Sequence, residues 1–277
     1  MLYVSDPNYN SHLNQAPSRN ANVNFNYVWD GIQKHWTPST QSSITFNYIL
    51  QNAKDSIHKF GSNPNVSQSV SVADPETIWD GSNNYIFPSD SGESIEILSN
   101  DSEDTQEIFI QGLDQNFNLQ ESTVTLNGLT PVSISGTWTR IFRAYNVGNE
   151  DIAGDISIRS SANTTQVYAK ILDGNNQTLM AIYTIPADST GYLIKYKASA
   201  FNSQSSSSIG YTLQLKVREY GKVFRVQSIT SVGTTYESVH DFPFPIKIEP
   251  KSDVIMNVIT ANGQNGSINV DFDIALL

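Results

Sequence analysis

Residues 107–147 read EIFIQGLDQNFNLQESTVTLNGLTPVSISGTWTRIFRAYNV, and this succession of short alternating apolar runs between turn residues restricts the chain to β-structure. Side chains of a strand alternate between its two faces. Val124 and Leu126 therefore share one side, and Val132 and Ile134 resume the alternation after Asn127-Gly128. Asn-Gly suits the two positive φ angles of a type I′ turn, so a β-meander with a hairpin at Asn127-Gly128 is expected.

The pattern extends well beyond the meander. Strands are expected at 94–98, 107–111, 119–126, 131–135, 138–147, 154–158, 166–172, 178–185, 192–201, 211–218, 223–229, 242–248, 254–260 and 268–274. Turn residues such as Asp173-Gly174-Asn175 and Pro186-Ala187-Asp188 separate them, and no long helical period intervenes. Short strands without crossover helices specify an antiparallel sheet sandwich. The expected fold is all-β: an antiparallel β-sandwich or jelly-roll body over residues 71–277. Phe242-Pro243-Phe244-Pro245 reads as an edge strand, since each proline removes a ladder donor.

Composition changes near residue 70. Before it the chain is rich in Asn, Ser and Gln, lacks Glu, and holds Trp29 and Trp36, with Trp79 just beyond. Its first 26 residues have too few regularly spaced apolar side chains to repay their ordering entropy. Residues 1–70 are therefore expected to form an extended N-terminal arm. It carries one short helix near 48–60, where Ile49, Ala53, Ile57 and Phe60 recur at helical spacing before Gly61. Removing 1–70 would then leave a folded body.

The arm also echoes the body. Val28-Trp29-Asp30-Gly31, with His35-Trp36-Thr37-Pro38-Ser39, recurs fifty positions later as Ile78-Trp79-Asp80-Gly81, with Tyr85-Ile86-Phe87-Pro88-Ser89. Asp-Gly turns beside a large ring suggest either a duplicated docking element or two tryptophans that simply fill the core. The docking reading makes Trp29, Asp30, Trp36, Tyr48, Ile57, Phe60 and Trp79 the interaction residues.

Little in the sequence points to chemistry. With 27 acidic and 16 basic residues and a formal net charge of −11, the chain lacks the clustered Lys and Arg that nucleic-acid backbones require. It has no cysteine, so neither disulfides nor thiolate metal sites are available. No secretory signal is readable, and no apolar run reaches membrane-spanning length. A serine triad around His240, the only body histidine, would need partners that no spacing indicates. A carboxylate pair for glycan hydrolysis would leave no spacing signal either. Asn100-Asp101-Ser102-Glu103-Asp104 offers a Ca²⁺ loop through Asp101, Glu103 and Asp104, but the glycine and distal glutamate of an EF-hand loop are missing, and a solvated loop is the simpler reading. No cofactor is expected.

Several of these segments occur in the same order in another group of proteins. Ile78-Trp79-Asp80-Gly81, Ile110-Gln111-Gly112-Leu113-Asp114, residues 123–128 with Thr130-Pro131-Val132, Gly136-Thr137-Trp138 with Arg140, Arg143 and Ala144, Ala153-Gly154-Asp155-Ile156, residues 177–186 and Glu249-Pro250-Lys251-Ser252-Asp253 all take part. Over about residues 74–277 the chain resembles a family of structural proteins from the particles of tailed, largely marine bacteriophages. The resemblance implies a non-enzymatic virion protein assembled in the bacterial host cytoplasm. Its partners would be the major capsid protein or another virion protein and further copies of itself as a homotrimer, with no nucleic acid and no membrane. Within that class we expect a capsid decoration or cement protein attached through its arm. The alternatives are a tail, neck or fibre component whose sandwich binds a host receptor or glycan, and a glycan depolymerase.

Overall fold

The computed structural model describes residues 25–29, 34–38, 41–202, 209–263 and 266–277, and side chains from residue 47 onward. The chain forms two compact units, Met1–Asn52 and Ala53–Leu277. In the first, β1 (Phe25–Trp29) and β2 (Lys34–Pro38) pair as an antiparallel hairpin, and α1 (Gln41–Asn52) follows.

The second unit is the antiparallel β-sandwich body. Its strands are β3 (Asp55–Asn63), β4 (Glu76–Thr77), β5 (Glu93–Ser99), β6 (Glu107–Asp114), β7 (Leu119–Thr125), β8 (Val132–Asn146), β9 (Ile156–Ser160), β10 (Val167–Ile171), β11 (Ile182–Thr184), β12 (Gly191–Asn202), β13 (Gly210–Arg218), β14 (Arg225–Gly233), β15 (Ser238–Ile248), β16 (Asp253–Asn262) and β17 (Gly266–Leu276). They build a four-stranded sheet β15-β12-β17-β3, a five-stranded sheet β11-β16-β13-β14 with β4 beside β16, and a six-stranded sheet β10-β9-β5-β8-β6-β7.

Two apolar cores hold these sheets together. The first joins Leu193, Val270 and Phe272 of the four-stranded sheet to Leu213, Leu215, Met256 and Val258 of the five-stranded one. The second gathers Ile95, Ile110, Trp138, Ile158 and Tyr168 of the six-stranded sheet around Trp79, Met180, Ile182 and Ile255. Strand β16 therefore sends alternate side chains into different cores, which explains its unbroken run Val254-Ile255-Met256.

Several expectations from sequence change here. The helix ends at Asn52 and does not continue to residue 60. Asp55–Asn63 is a strand, paired with β17 from Asp55↔Leu276 to Asn63↔Ile268. Period two wins because β17 would otherwise present an open edge, and Ile57, Lys59, Gly61 and Asn63 face inward. Gly61 is accordingly no helix cap. A Cβ there would lie 2.1 Å from the Ala181 nitrogen and 2.7 Å from the Ile78 oxygen. The boundary between units consequently falls at 52/53 and not at 70.

The Asn127-Gly128 hairpin does not form either. Gly128 has φ of 53°, but Asn127 is not among the positive-φ residues, and β7 pairs with β6 alone. The connection crosses the start of β6, held by Gly128 N–H to the Asp104 carbonyl at 2.8 Å. Two expected strands, 131–135 and 138–147, fuse into β8, whose first half pairs with β5 and whose second pairs with β6. The proline-rich strand β15 does lie at a sheet edge, and its register jumps from Leu193↔Ile246 to Lys195↔Asp241 across both prolines.

Candidate functional site

The expected docking residues separate into three groups. Trp29 and Trp36 lie on β1 and β2, in a register that places Tyr27 opposite Trp36 and Trp29 opposite Lys34, while Asp30 lies outside the described residues. Tyr48 on α1 is 62% exposed, and Phe60 on β3 is exposed as well, whereas Ile57 packs half-buried against the first core. Trp79 is 1% exposed and belongs to the second core, so it presents no surface for docking. Its indole N–H donates to the Asn83 carbonyl (3.1 Å), and its ring meets Tyr85 edge-on at 5.1 Å. The echo is one of sequence only. Val28 and Trp29 pair in a hairpin, whereas Ile78 donates its N–H to the Met256 carbonyl and Trp79 bridges Met180.

The acidic loop 100–104 is built by its own hydrogen bonds. Asp104 is fully buried; its carboxylate accepts from Ala153 N–H (2.7 Å), Gly154 N–H (3.0 Å) and the Ser99 hydroxyl (2.5 Å). Asp101 accepts from Glu103 N–H at 2.8 Å. Asp101, Glu103 and Asp104 therefore do not converge on one point, and among the described residues no three His, Asp or Glu side chains form a metal cluster. His240 stacks on Tyr196 with ring centroids 5.2 Å apart.

Two of the sequence motifs meet at a buried charge cluster. Asp253 accepts from Arg140 Nε (2.6 Å) and Nη2 (3.1 Å), Arg218 Nε (2.8 Å) and the Thr184 hydroxyl (2.6 Å). The Arg140 guanidinium lies over Phe87 at 4.9 Å and Phe117 at 5.0 Å, and Arg218 lies over Phe87 and Phe224, each at 4.8 Å. Burial alone would lower the Arg140 pKa, but the charge and hydrogen bonds of Asp253, with those of Asp90, hold it above its ordinary value. With Arg218 Nη2 as a fifth donor (2.5 Å), these hydrogen bonds and the ring sandwich leave Asp253 little capacity for a ligand. This cluster ties Phe117 of the first core to Phe87, which packs on the second, and its role is structural.

An open cleft of about 430 Å³ lies where β3 faces β6, β8 and the segment 177–183. Lys59 is only 8% exposed, and its amine donates to the Phe142 carbonyl and sits 5.8 Å from the Phe142 ring centroid. Burial, with repulsion from Arg143, lowers its pKa from 10.5 to about 7. Arg143 is exposed and stacks on Tyr145 at 4.8 Å. Among the described residues no carboxylate forms an ion pair with Lys59 or Arg143. A smaller hollow of about 230 Å³ differs in this respect, because its Lys170 and Arg159 are paired with Asp155 (2.9 Å) and Glu96 (2.8 Å). Lys59 leaves no mark in the sequence, because a lysine between Ile57 and Gly61 carries no spacing signal. Neither a family model nor a curated protein sequence matches the chain.

Proposed function

We propose that this chain is a non-enzymatic structural protein of a bacteriophage particle. In this reading it is a capsid decoration or cement protein and a homo-oligomer. Its first unit attaches to the major capsid protein, and its β-sandwich stands on the particle surface. The observation that carries the reading is the division at Asn52/Ala53. A body with two apolar cores of its own needs no help from Met1–Asn52 to bury them, which leaves that unit available for a partner. Exposed Tyr48 and Leu50 on α1 supply apolar surface of the kind that anchors interfaces.

The test is made on particles. Full-length protein added to undecorated heads should bind in stoichiometric amounts, and protein lacking residues 1–52 should stay in the supernatant with its β-sheet circular dichroism unchanged. Only a handful of copies per virion by gel densitometry would place it in the tail or neck and overturn the cement reading. Equal binding by the truncated chain would remove the first unit as anchor.

A further inference from the structure

We infer that the cleft beside Lys59 binds a small oxyanion, the carboxylate or tetrahedral oxyanion of a compact polar molecule. The cleft volume of about 430 Å³ falls within the roughly 300–1,000 Å³ of small-molecule sites, and its lining comes from strands of two different sheets and the segment 177–183. Its distinctive feature is charge without a partner. In a chain of net charge −11, two adjacent cations face one cleft, and the described residues give neither of them an acidic partner.

The two cations are arranged differently. Lys59 is held in the wall by the Phe142 carbonyl, which takes one of its three donors. The Arg143 guanidinium is braced on the Tyr145 ring, so less side-chain entropy is lost when it closes on a ligand. Thr178 accepts the Ala144 N–H through its hydroxyl oxygen at 3.0 Å, leaving the hydroxyl hydrogen to donate. Gln177 and Ser56 complete a polar lining. At the rim, Asp55 accepts from Ser56 N–H (2.7 Å) and opposes an anion, while His58 is already engaged with Asp273 at 2.6 Å.

An anion entering this cleft supplies the charge that burial denies Lys59. It stabilises the ammonium form, so binding draws a proton onto Lys59 wherever the free amine is neutral. Affinity should therefore decline as pH rises above 7. An anion held by exposed lysines alone would keep its affinity across this range.

The experiment titrates the full chain with sodium glucuronate, sodium sulfate and glucose at pH 6 and pH 8, followed by calorimetry. Glucuronate and sulfate keep constant charge between these values, so the pH dependence reports on the protein. At least one anion should bind saturably at pH 6 and at least threefold more weakly at pH 8, and glucose should not bind. Glucuronate without sulfate identifies a carboxylate site, and the reverse identifies a site for phosphate-like groups. Lys59→Met and Arg143→Gln should each weaken binding tenfold or more, and Asp55→Asn should tighten it. Arg143 is exposed, so its variant keeps the test valid even where Lys59→Met fails to fold. Failure of both anions to bind folded wild type at pH 6, or equal binding by Arg143→Gln, would overturn the assignment.

Discussion

Lys59 and Asp80 are the two residues whose charge the fold opposes most directly, and together they shape the response to pH. Asp80 is 3% exposed. One carboxylate oxygen accepts from Leu179 N–H at 2.7 Å, and the other has no hydrogen-bond partner among the described residues. Burial raises its pKa from 3.8 to about 7 against the opposing Leu179 hydrogen bond and the Lys170 charge. Between pH 3.8 and about 7 the folded chain holds a proton at Asp80 that the unfolded chain has released, so stability falls as pH rises. Lys59 acts in the complementary window. Between about 7 and 10.5 the unfolded chain keeps a proton that the folded chain lacks, so stability rises with pH. The combined contribution has its minimum near neutrality. Asp80→Asn should raise stability at pH 7.5 by about 1–3 kcal/mol, since each tenfold change in proton affinity is worth roughly 1.4 kcal/mol, and leave it unchanged at pH 3.5. Urea unfolding at the two pH values measures this, and an equal change at both would assign the effect to packing.

At the scale of the element, legibility in the sequence depended on whether one period or two competed for the same residues. Strands β6 and β7 were legible because alternation was unopposed, and β16 because burial on both faces leaves a continuous apolar run. Strand β3 was not legible. Ile57 and Phe60 satisfy a helical spacing, Ile57 and Gly61 satisfy a strand, and only pairing with β17 decides between them. Its inward Lys59 also breaks the binary pattern that would mark a strand. The cleft stayed hidden for the same reason, and the Arg140–Asp253 pair because 113 residues separate its members. Gly61 offers the sharpest test of how tightly β3 is fixed. A methyl group there meets backbone atoms of Ala181 and Ile78, which cannot swing aside as a side-chain tip can. Gly61→Ala should therefore cost about 2–3 kcal/mol, at the upper end for overpacking. Thermal unfolding showing no loss would mean that β3 shifts freely along the sheet.

At the scale of the molecule, the position of the boundary decides which truncation can report on attachment. Removal of residues 1–52 deletes the first unit and leaves β3 paired with β17. Removal of 1–70 deletes β3 as well, together with Val66 and Val70, which are buried in the first core. A fully buried apolar side chain contributes about 1.5–3 kcal/mol. Losing these valines and the Ile57 contact therefore removes a large share of a total stability of about 5–15 kcal/mol. It also opens the β17 edge, whose unpaired backbone groups can recruit another chain. The chain lacking 1–52 should unfold cooperatively within about 2 °C of the wild-type body transition, since a shift of that size corresponds to no more than about 1 kcal/mol in a domain this large. The chain lacking 1–70 should melt at least several degrees lower or aggregate. Differential scanning calorimetry with light scattering separates these outcomes. Equal melting of both truncations would show that β3 is dispensable and return the boundary to residue 70. A marked loss in the shorter deletion would make Met1–Asn52 part of the body's own stability and leave the proposed anchor without a free unit to carry it.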